Sequence, residues 1–388
     1  MNPTERIIRT FEGKPVDRVP TFCAGLEDRT FNEVLGQPPF HPHKLIDNPL
    51  SDFLFRKWSP LMTKLFFQPL VTMGMEKRVK AAAKLGFDAD WAIYEETFTP
   101  QNSKSMVRYS GSIYDIIDDG YGNSTYMYRG PGITSPKDFQ EWPYWRNPDE
   151  IAHRSYTFFK KIMKRYGEGM CICGQGSAYG IQETILWSVG FERLPIWIMR
   201  EKELIKRFID LLEEICMKTS MALMDAGVKV ILQTDDFAFK SGPMINPKQI
   251  DSLFGPSYTK IIKAVHDRGG KYILHSCGDN TLLIELFIKW GVDGLHAYEN
   301  TSNADIFKEK EIHGEDITII GGVGIDYLLT ERSKDEEIVE EVKKLMRALG
   351  PGGRFMIAPV HSMSSVPADK LRVMLDAAKQ YGKYPITV

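Results

Sequence analysis

From about residue 225 onward, short apolar runs alternate with amphipathic stretches at nearly constant spacing. Val228–Thr234 reads as a buried strand and Pro247–Arg268 as a helix. Lys271–Leu274 is the next strand, followed by a helix over Thr281–Trp290. Gly294–Tyr298 is a strand before a helix near Ala304–Glu311. Ile317–Ile320 precedes a helix over Lys334–Leu349, which Gly350-Pro351 ends. Phe355–Ala358 precedes a helix over Pro367–Tyr381, with proline in its first turn. Five consecutive β/α units imply a parallel sheet, because each crossover helix returns the chain to the same edge. No gap is long enough for a reversal of direction, which favours a closed barrel over an open doubly wound sheet.

The first half has a different texture. Val19–Ala24 reads as a strand, and Glu76–Leu85 as a helix leading to a strand at Ala92–Tyr94. Arg154–Tyr166 is a helix, Cys171–Gln175 a strand and Lys202–Ala226 a long helix. Met106–Tyr128 alternates polar and apolar residues around Asp118-Asp119-Gly120 and Gly122-Asn123, which is hairpin chemistry. Residues 36–75, rich in Pro, Phe and Trp, read as a cap or arm. The expectation is an α/β chain forming one TIM (β/α)8 barrel domain over residues 1–388. Its insertions are an aromatic-rich cap at 36–75 and a β-hairpin at 106–130.

Composition narrows the function. The 388 residues carry Lys+Arg 49 and Asp+Glu 51, a formal net charge of -2, with no basic stripe to neutralise nucleic-acid phosphates. No apolar run approaches the roughly 20 residues needed to span a bilayer. The polar start Met1-Asn-Pro-Thr-Glu-Arg6 is no signal peptide, so a soluble, cytoplasmic protein is expected. Five scattered cysteines, Cys23, Cys171, Cys173, Cys216 and Cys277, form no disulfide framework and point to reduced thiols.

In such a barrel the βα loops converge at the C-terminal ends of the strands, and the active site forms there. The strand ends are unusually rich in chemistry. Thr234 is followed by Asp235-Asp236, Leu274 by His275-Ser-Cys277-Gly278, Tyr298 by Glu299, and the last strand by His361. Residues i and i+2 of a strand point to one side, so the His275 imidazole and the Cys277 thiolate can converge on one ion. Sulfur with imidazole nitrogen suits Zn²⁺. A third ligand from Glu299, Asp236 or His361 would leave one position open, as catalytic zinc requires. The plainer reading is a buried cysteine beside a hydrogen-bonded histidine; the neighbouring Asp236, Glu299 and His361 weigh against it.

Other motifs carry less. Cys171-x-Cys173 sits in a barrel strand and reads as core packing, and His41-x-His43 as part of a Pro-rich surface or cap. Gly174-Gln-Gly176 resembles a phosphate loop only superficially, since no Lys-Ser/Thr opens a helix after it. Gly321-Gly322 either lets a cofactor approach the backbone or serves conformation alone. Glu183 and Glu192, near Trp187, read as surface or as support behind the site. No Gly-x-Ser-x-Gly elbow supports a serine hydrolase.

The same residues carry a family resemblance. Ile273-Leu-His-Ser-Cys-Gly278, Gly291-Val-Asp-Gly294, Ile320-Gly-Gly322, and Leu349-Gly-Pro-Gly-Gly353 through Ala358-Pro-Val-His361 resemble the uroporphyrinogen decarboxylase superfamily. The opening Thr4-Glu-Arg6 and Gly13-Lys-Pro-Val-Asp-Arg-Val-Pro20 are similar to its N-terminal stretch, while residues 30–150 match poorly. The resemblance implies a TIM barrel. Porphyrin decarboxylases carry an Arg-Gln-Ala-Gly-Arg type segment after the first Pro; here Val19-Pro-Thr-Phe-Cys-Ala-Gly25 stands instead, with no paired arginines. The His-x-Cys-Gly pair is similar to the other branch, zinc methyltransferases that work with a corrinoid protein. Members that methylate coenzyme M have a second zinc cysteine near the C-terminus. This chain has none after Cys277, and His361 occupies that region.

The resemblance therefore implies Zn²⁺ on His275 and Cys277, with Glu299, Asp236 and His361 competing for the next place and the others acting as catalytic proton carriers. Fewer thiolates leave zinc a stronger Lewis acid, suited to pulling on an ether oxygen. The expected reaction is O-demethylation of a methoxylated aromatic compound, with the methyl group passing to cob(I)alamin. No Asp-x-His-x-x-Gly corrinoid motif is present, so cobalamin is expected on a partner corrinoid protein docked over the C-terminal barrel face. Residues 36–75 would belong to that docking rim or to a homodimer contact. The alternatives are a coenzyme M-type thiol methyltransferase, a metal-free lyase with Asp236 as its key group, and a non-catalytic binding barrel.

Overall fold

Every barrel strand but the first and last is flanked by two neighbours and covered on its outer side by helices, which is why these segments are nearly unbroken apolar runs. A computed structural model of the chain describes residues 1–38, 49–94, 98–102, 104–118, 124–176, 179–298, 302–363 and 366–388. Eight strands form one sheet: β1 (Phe22–Cys23), β2 (Ala89–Ile93), β7 (Cys171–Gln175), β8 (Val230–Thr234), β11 (Lys271–His275), β12 (Gly294–Ala297), β13 (Thr318–Val323) and β14 (Phe355–Pro359). They neighbour one another in chain order and every pair is parallel. Thr21 bridges Ile357 in parallel, and Ile357 N donates to Pro20 O at 3.0 Å, so the sheet returns to its first strand. The result is the expected TIM-type barrel.

The N-terminal helix Pro3–Phe11 plugs the barrel from below: Ile7 and Phe11 join Phe22, Leu232, Ile273 and Met356 in the interior cluster. Beneath the first two strands, Asp88 is buried against two guanidinium groups, with Arg6 Nη1 at 2.7 Å and Arg18 Nη1 at 2.5 Å. With the bottom closed, the opposite end of the barrel is the one left open for chemistry.

Crossover helices begin where sequence dictates. Asn147 and Asn246 cap helices Pro148–Tyr166 and Pro247–Asp267 by accepting from Asp149 N and Lys248 N, with proline opening each first turn. The first strand is shorter than expected, two residues instead of Val19–Ala24, because Pro20 has no N–H for a ladder. The second covers Ala89–Ile93, earlier than expected, and Gly321-Gly322 extends β13 to Val323.

The insertions depart further from expectation. The hairpin at 106–130 is the core of a four-stranded antiparallel sheet of β3 (Phe98–Asn102), β4 (Ser105–Arg108), β5 (Ser112–Asp118) and β6 (Ser124–Pro131), and β9 (Ala238–Phe239) and β10 (Gly242–Pro243) pair antiparallel after β8; residues 119–123 lie outside the described residues. Residues 49–75 of the 36–75 cap are helical. Helix Pro49–Met62, a π-turn at Thr63–Phe67 and helix Gln68–Leu85 run on as one arm. Phe67 of this arm packs with Phe98, Met106 and Tyr114 of the sheet, so arm and sheet share a small core of their own.

Candidate active site

His275 is the last residue of β11, and its strand ends at the open mouth. The turn that follows is tightly tied. Ser276 N donates to His296 O at 2.8 Å, Phe237 N donates to Ser276 Oγ at 3.0 Å, and Asn280 Nδ2 donates to Ser276 O at 2.9 Å. Gly278 adopts φ +84, and a Cβ there would lie 2.5 Å from Ala238 O, so glycine is required for the loop after β8 to close over it. This scaffold sets Cys277 beside His275.

Cys277 Sγ lies 3.2 Å from His275 Nε2 and 3.3 Å from His361 Nε2, and the three donor atoms fall within 4.8 Å of one another. Tetrahedral zinc, with Zn–S near 2.3 Å and Zn–N near 2.0–2.1 Å, would separate sulfur from nitrogen by about 3.5 Å. Among the described residues, the donor set and its spacing therefore fit Zn²⁺ with one position open. Ser362 N donates to His361 Nδ1 at 3.0 Å; Ser362 Oγ, 3.4 Å from the same nitrogen, can accept from it when Nε2 turns to a cation. Burial, with His296 and His361 near, pushes His275 well below the usual histidine range and keeps its imidazole neutral.

Of the residues competing for the remaining place, His361 is the one among the described residues whose donor atom joins the pair. Asp236 does other work: its Oδ1 accepts from Cys277 N at 2.7 Å, anchoring the backbone of the thiol-bearing residue. Glu299 lies outside the described residues, as do His41 and His43. Gly321 and Gly322 are buried in β13 and do not line the cavity; a Cβ on Gly321 would lie 2.2 Å from Ala297 O, and one on Gly322 3.0 Å from Leu345. Their place is strand and helix packing. Cys171 and Cys173 pack inside the barrel.

Above the cluster opens a cavity of about 370 Å³. Trp91 from β2, Tyr179, and Phe98, Tyr114 and Tyr126 from the antiparallel sheet supply its aromatic walls, and Glu183, Asp236 and the Arg78-paired Glu27 its carboxyl groups. Trp91 stands 5.0 Å, ring centre to ring centre, from His275 and donates to Gln175 Oε1 at 2.7 Å; Gln175 Nε2 donates to Thr234 Oγ1 at 3.1 Å. These ties hold the floor rigid across three strands.

Glu183 is buried, not on the surface. Helix Ile181–Val189 is buried nearly all round, and Asp235, fully buried, accepts from Gln182 N and Glu183 N at its first turn. Burial first, then the nearby Asp236 and Asp235, raise the Glu183 carboxyl well above its usual range, while Trp187 Nε1 donates to it at 3.1 Å. Glu192 is exposed.

The uroporphyrinogen decarboxylase (URO-D) family model matches residues 128–381, well over half of the chain, and the chain belongs to that family. Over 98% of its length it is similar to 99% of a methyltransferase from Methanosarcina mazei, at 18% identity and a TM-score of 0.67. Across 94% of this chain and 96% of the other, it is similar to a protein described as a vitamin-B12 independent methionine synthase from Listeria monocytogenes, at 14% identity and a TM-score of 0.49. No curated protein sequence matches it. No helix among the described residues is long and apolar enough to cross a membrane.

Proposed function

We propose that this chain is a zinc-dependent methyltransferase that demethylates a methoxylated aromatic compound and delivers the methyl group to the cob(I)alamin of a separate corrinoid protein. The carrying observation is one nitrogen–sulfur–nitrogen cluster facing a cavity walled by five aromatic rings. His275, Cys277 and His361 would hold the ion. Bound there, zinc would supply Lewis acidity toward an ether oxygen. A single thiolate among the three donors suits that task better than thiol activation. The full-length likeness in fold to a methyltransferase supports the same class of reaction.

The chain's own groups divide the remaining work. Trp91, Phe98, Tyr114, Tyr126 and Tyr179 offer faces and edges to an aromatic ring, and about 370 Å³ is in the range of small-molecule pockets. Asp236 keeps Cys277 in place through its backbone N–H. When the methyl–oxygen bond breaks, its electron pair stays on oxygen, and the methyl carbon takes its new bond from the electron pair of Co(I). The leaving oxygen needs a proton, and Glu183, held protonated by burial, carries one at the cavity wall. The cavity opens at the barrel mouth, where the corrinoid protein would dock.

The test uses free cob(I)alamin as acceptor under anoxic conditions, with a panel of methoxybenzenes and methoxyphenols. The expected result is methylcobalamin absorbance, with an equal amount of demethylated phenol and loss of both in Cys277→Ala. Transfer from methylcobalamin to a thiol, with none from any methoxyarene, would overturn the assignment.

A further inference from the structure

His296 belongs to β12, pairs in register with His275 of β11, and is completely buried. Its Nε2 lies 3.0 Å from Pro359 O, and its Nδ1 lies 2.6 Å from His275 Nδ1. A backbone carbonyl only accepts, so His296 Nε2 must carry the proton that it donates to Pro359. In a neutral ring this leaves His296 Nδ1 with a bare lone pair. Two nitrogens 2.6 Å apart share one proton, so that proton sits on His275 Nδ1. His275 Nε2 is then bare, and it is the atom that faces Cys277 Sγ. The direction of every hydrogen bond follows from one carbonyl.

The surroundings keep the two rings where the chain of bonds needs them. Trp91 packs against both, at 5.0 Å from His275 and 6.5 Å from His296, and Phe22 closes the far side of His296 at 5.5 Å. Pro359 lies two residues before His361, so the strand end that delivers one donor of the cluster also anchors the ring that orients another.

We propose that His296 is a positioning residue that fixes the tautomer and tilt of His275 for metal binding. The inference rests on the zinc reading of the cluster. Metal-bound histidines ordinarily donate their second N–H to an acceptor that orients them, and losing that partner weakens binding about 10–100-fold. Here the acceptor is a second imidazole, itself oriented by a main-chain carbonyl.

Two variants separate orientation from packing. His296→Phe fills the space with neither donor nor acceptor, while His296→Gln can accept from His275 and donate to Pro359. Zinc affinity is read by competition with a chromophoric chelator at fixed pH. The histidine tautomers of the metal-free protein are read from long-range ¹H–¹⁵N spectra. The native protein shows His275 protonated on Nδ1. His296→Phe loses that signature and binds zinc about 10–100-fold more weakly, and His296→Gln restores most of both. Native affinity and tautomer in His296→Phe would overturn the proposal, as would equal losses in the two variants, which would mean packing alone. A native protein that binds no zinc yet keeps the tautomer would sink the zinc reading, and His296 would then orient His275 for another task.

Discussion

Asp90 offers a stability test whose sign follows from burial. It lies in β2 beside Trp91, is 2% exposed, and its Oδ2 has no hydrogen-bond partner. Burial pushes its carboxyl up to about 7, with Cys23 and the more distant Arg78 pulling the other way. In an unfolded chain the same group titrates near 3.9. The folded state thus binds the proton more tightly, and the stability this contributes is present below about pH 4 and lost as pH rises toward 7. Three units of difference at about 1.4 kcal/mol each give a loss of up to about 4 kcal/mol. Asp90→Asn keeps the shape and removes the titration. Urea unfolding followed by circular dichroism at pH 4.5, 6 and 8 should show the variant gaining on the native protein at each step as pH rises. A difference that stays constant over this range would refute the reasoning and mean that Asp90 is ionised or solvated in the fold.

Three further outcomes are expected. Asp88→Asn leaves the buried guanidinium groups of Arg6 and Arg18 without their shared charge, and urea unfolding should register a loss of about 3–5 kcal/mol. Gly321→Ala drives a Cβ against Ala297 O at a backbone φ of +142 and should cost at least about 2–3 kcal/mol in thermal unfolding, whereas Gly130→Ala, with open space around it, should not. Tyr114→Ala removes one aromatic wall of the cavity and should raise the KM for a methoxyarene about 10–100-fold while kcat changes less, measured by phenol release.

The second half of the barrel was legible because each strand there is a short apolar run set between amphipathic helices, and because a barrel leaves its strand-end residues nowhere to go but the mouth. Hence His275, Cys277 and Asp236 could be placed from spacing alone, and His361 from its position after the last strand. The first half resisted for physical reasons. Pro100 lies inside β3, so that segment shows no clean strand pattern. The arm over 49–85 spreads its apolar residues between the sheet and an exposed face, where Leu50, Phe53 and Leu61 remain, and so lacks a single stripe.

Two residues carry more weight than sequence shows, Glu183, read there as surface or support behind the site, and His296, which no motif marks. Glu183 is the one charged residue in a helix whose other positions are apolar or uncharged, and a helix buried nearly all round buries its acid too. His296 needed the register of β11 against β12, a non-local fact that no local pattern reports. The aromatic cavity walls from 98, 114 and 126 depend likewise on how the antiparallel sheet folds over the mouth.

The central claim is that His275, Cys277 and His361 hold one catalytic zinc. Elemental analysis of the native protein and of His275→Ala, Cys277→Ala and His361→Ala, each prepared without chelators and shown to be folded, tests it most directly. About one zinc per chain is expected in the native protein, with a clear loss in each variant. No metal in the native protein, or a full complement that survives Cys277→Ala, would contradict it.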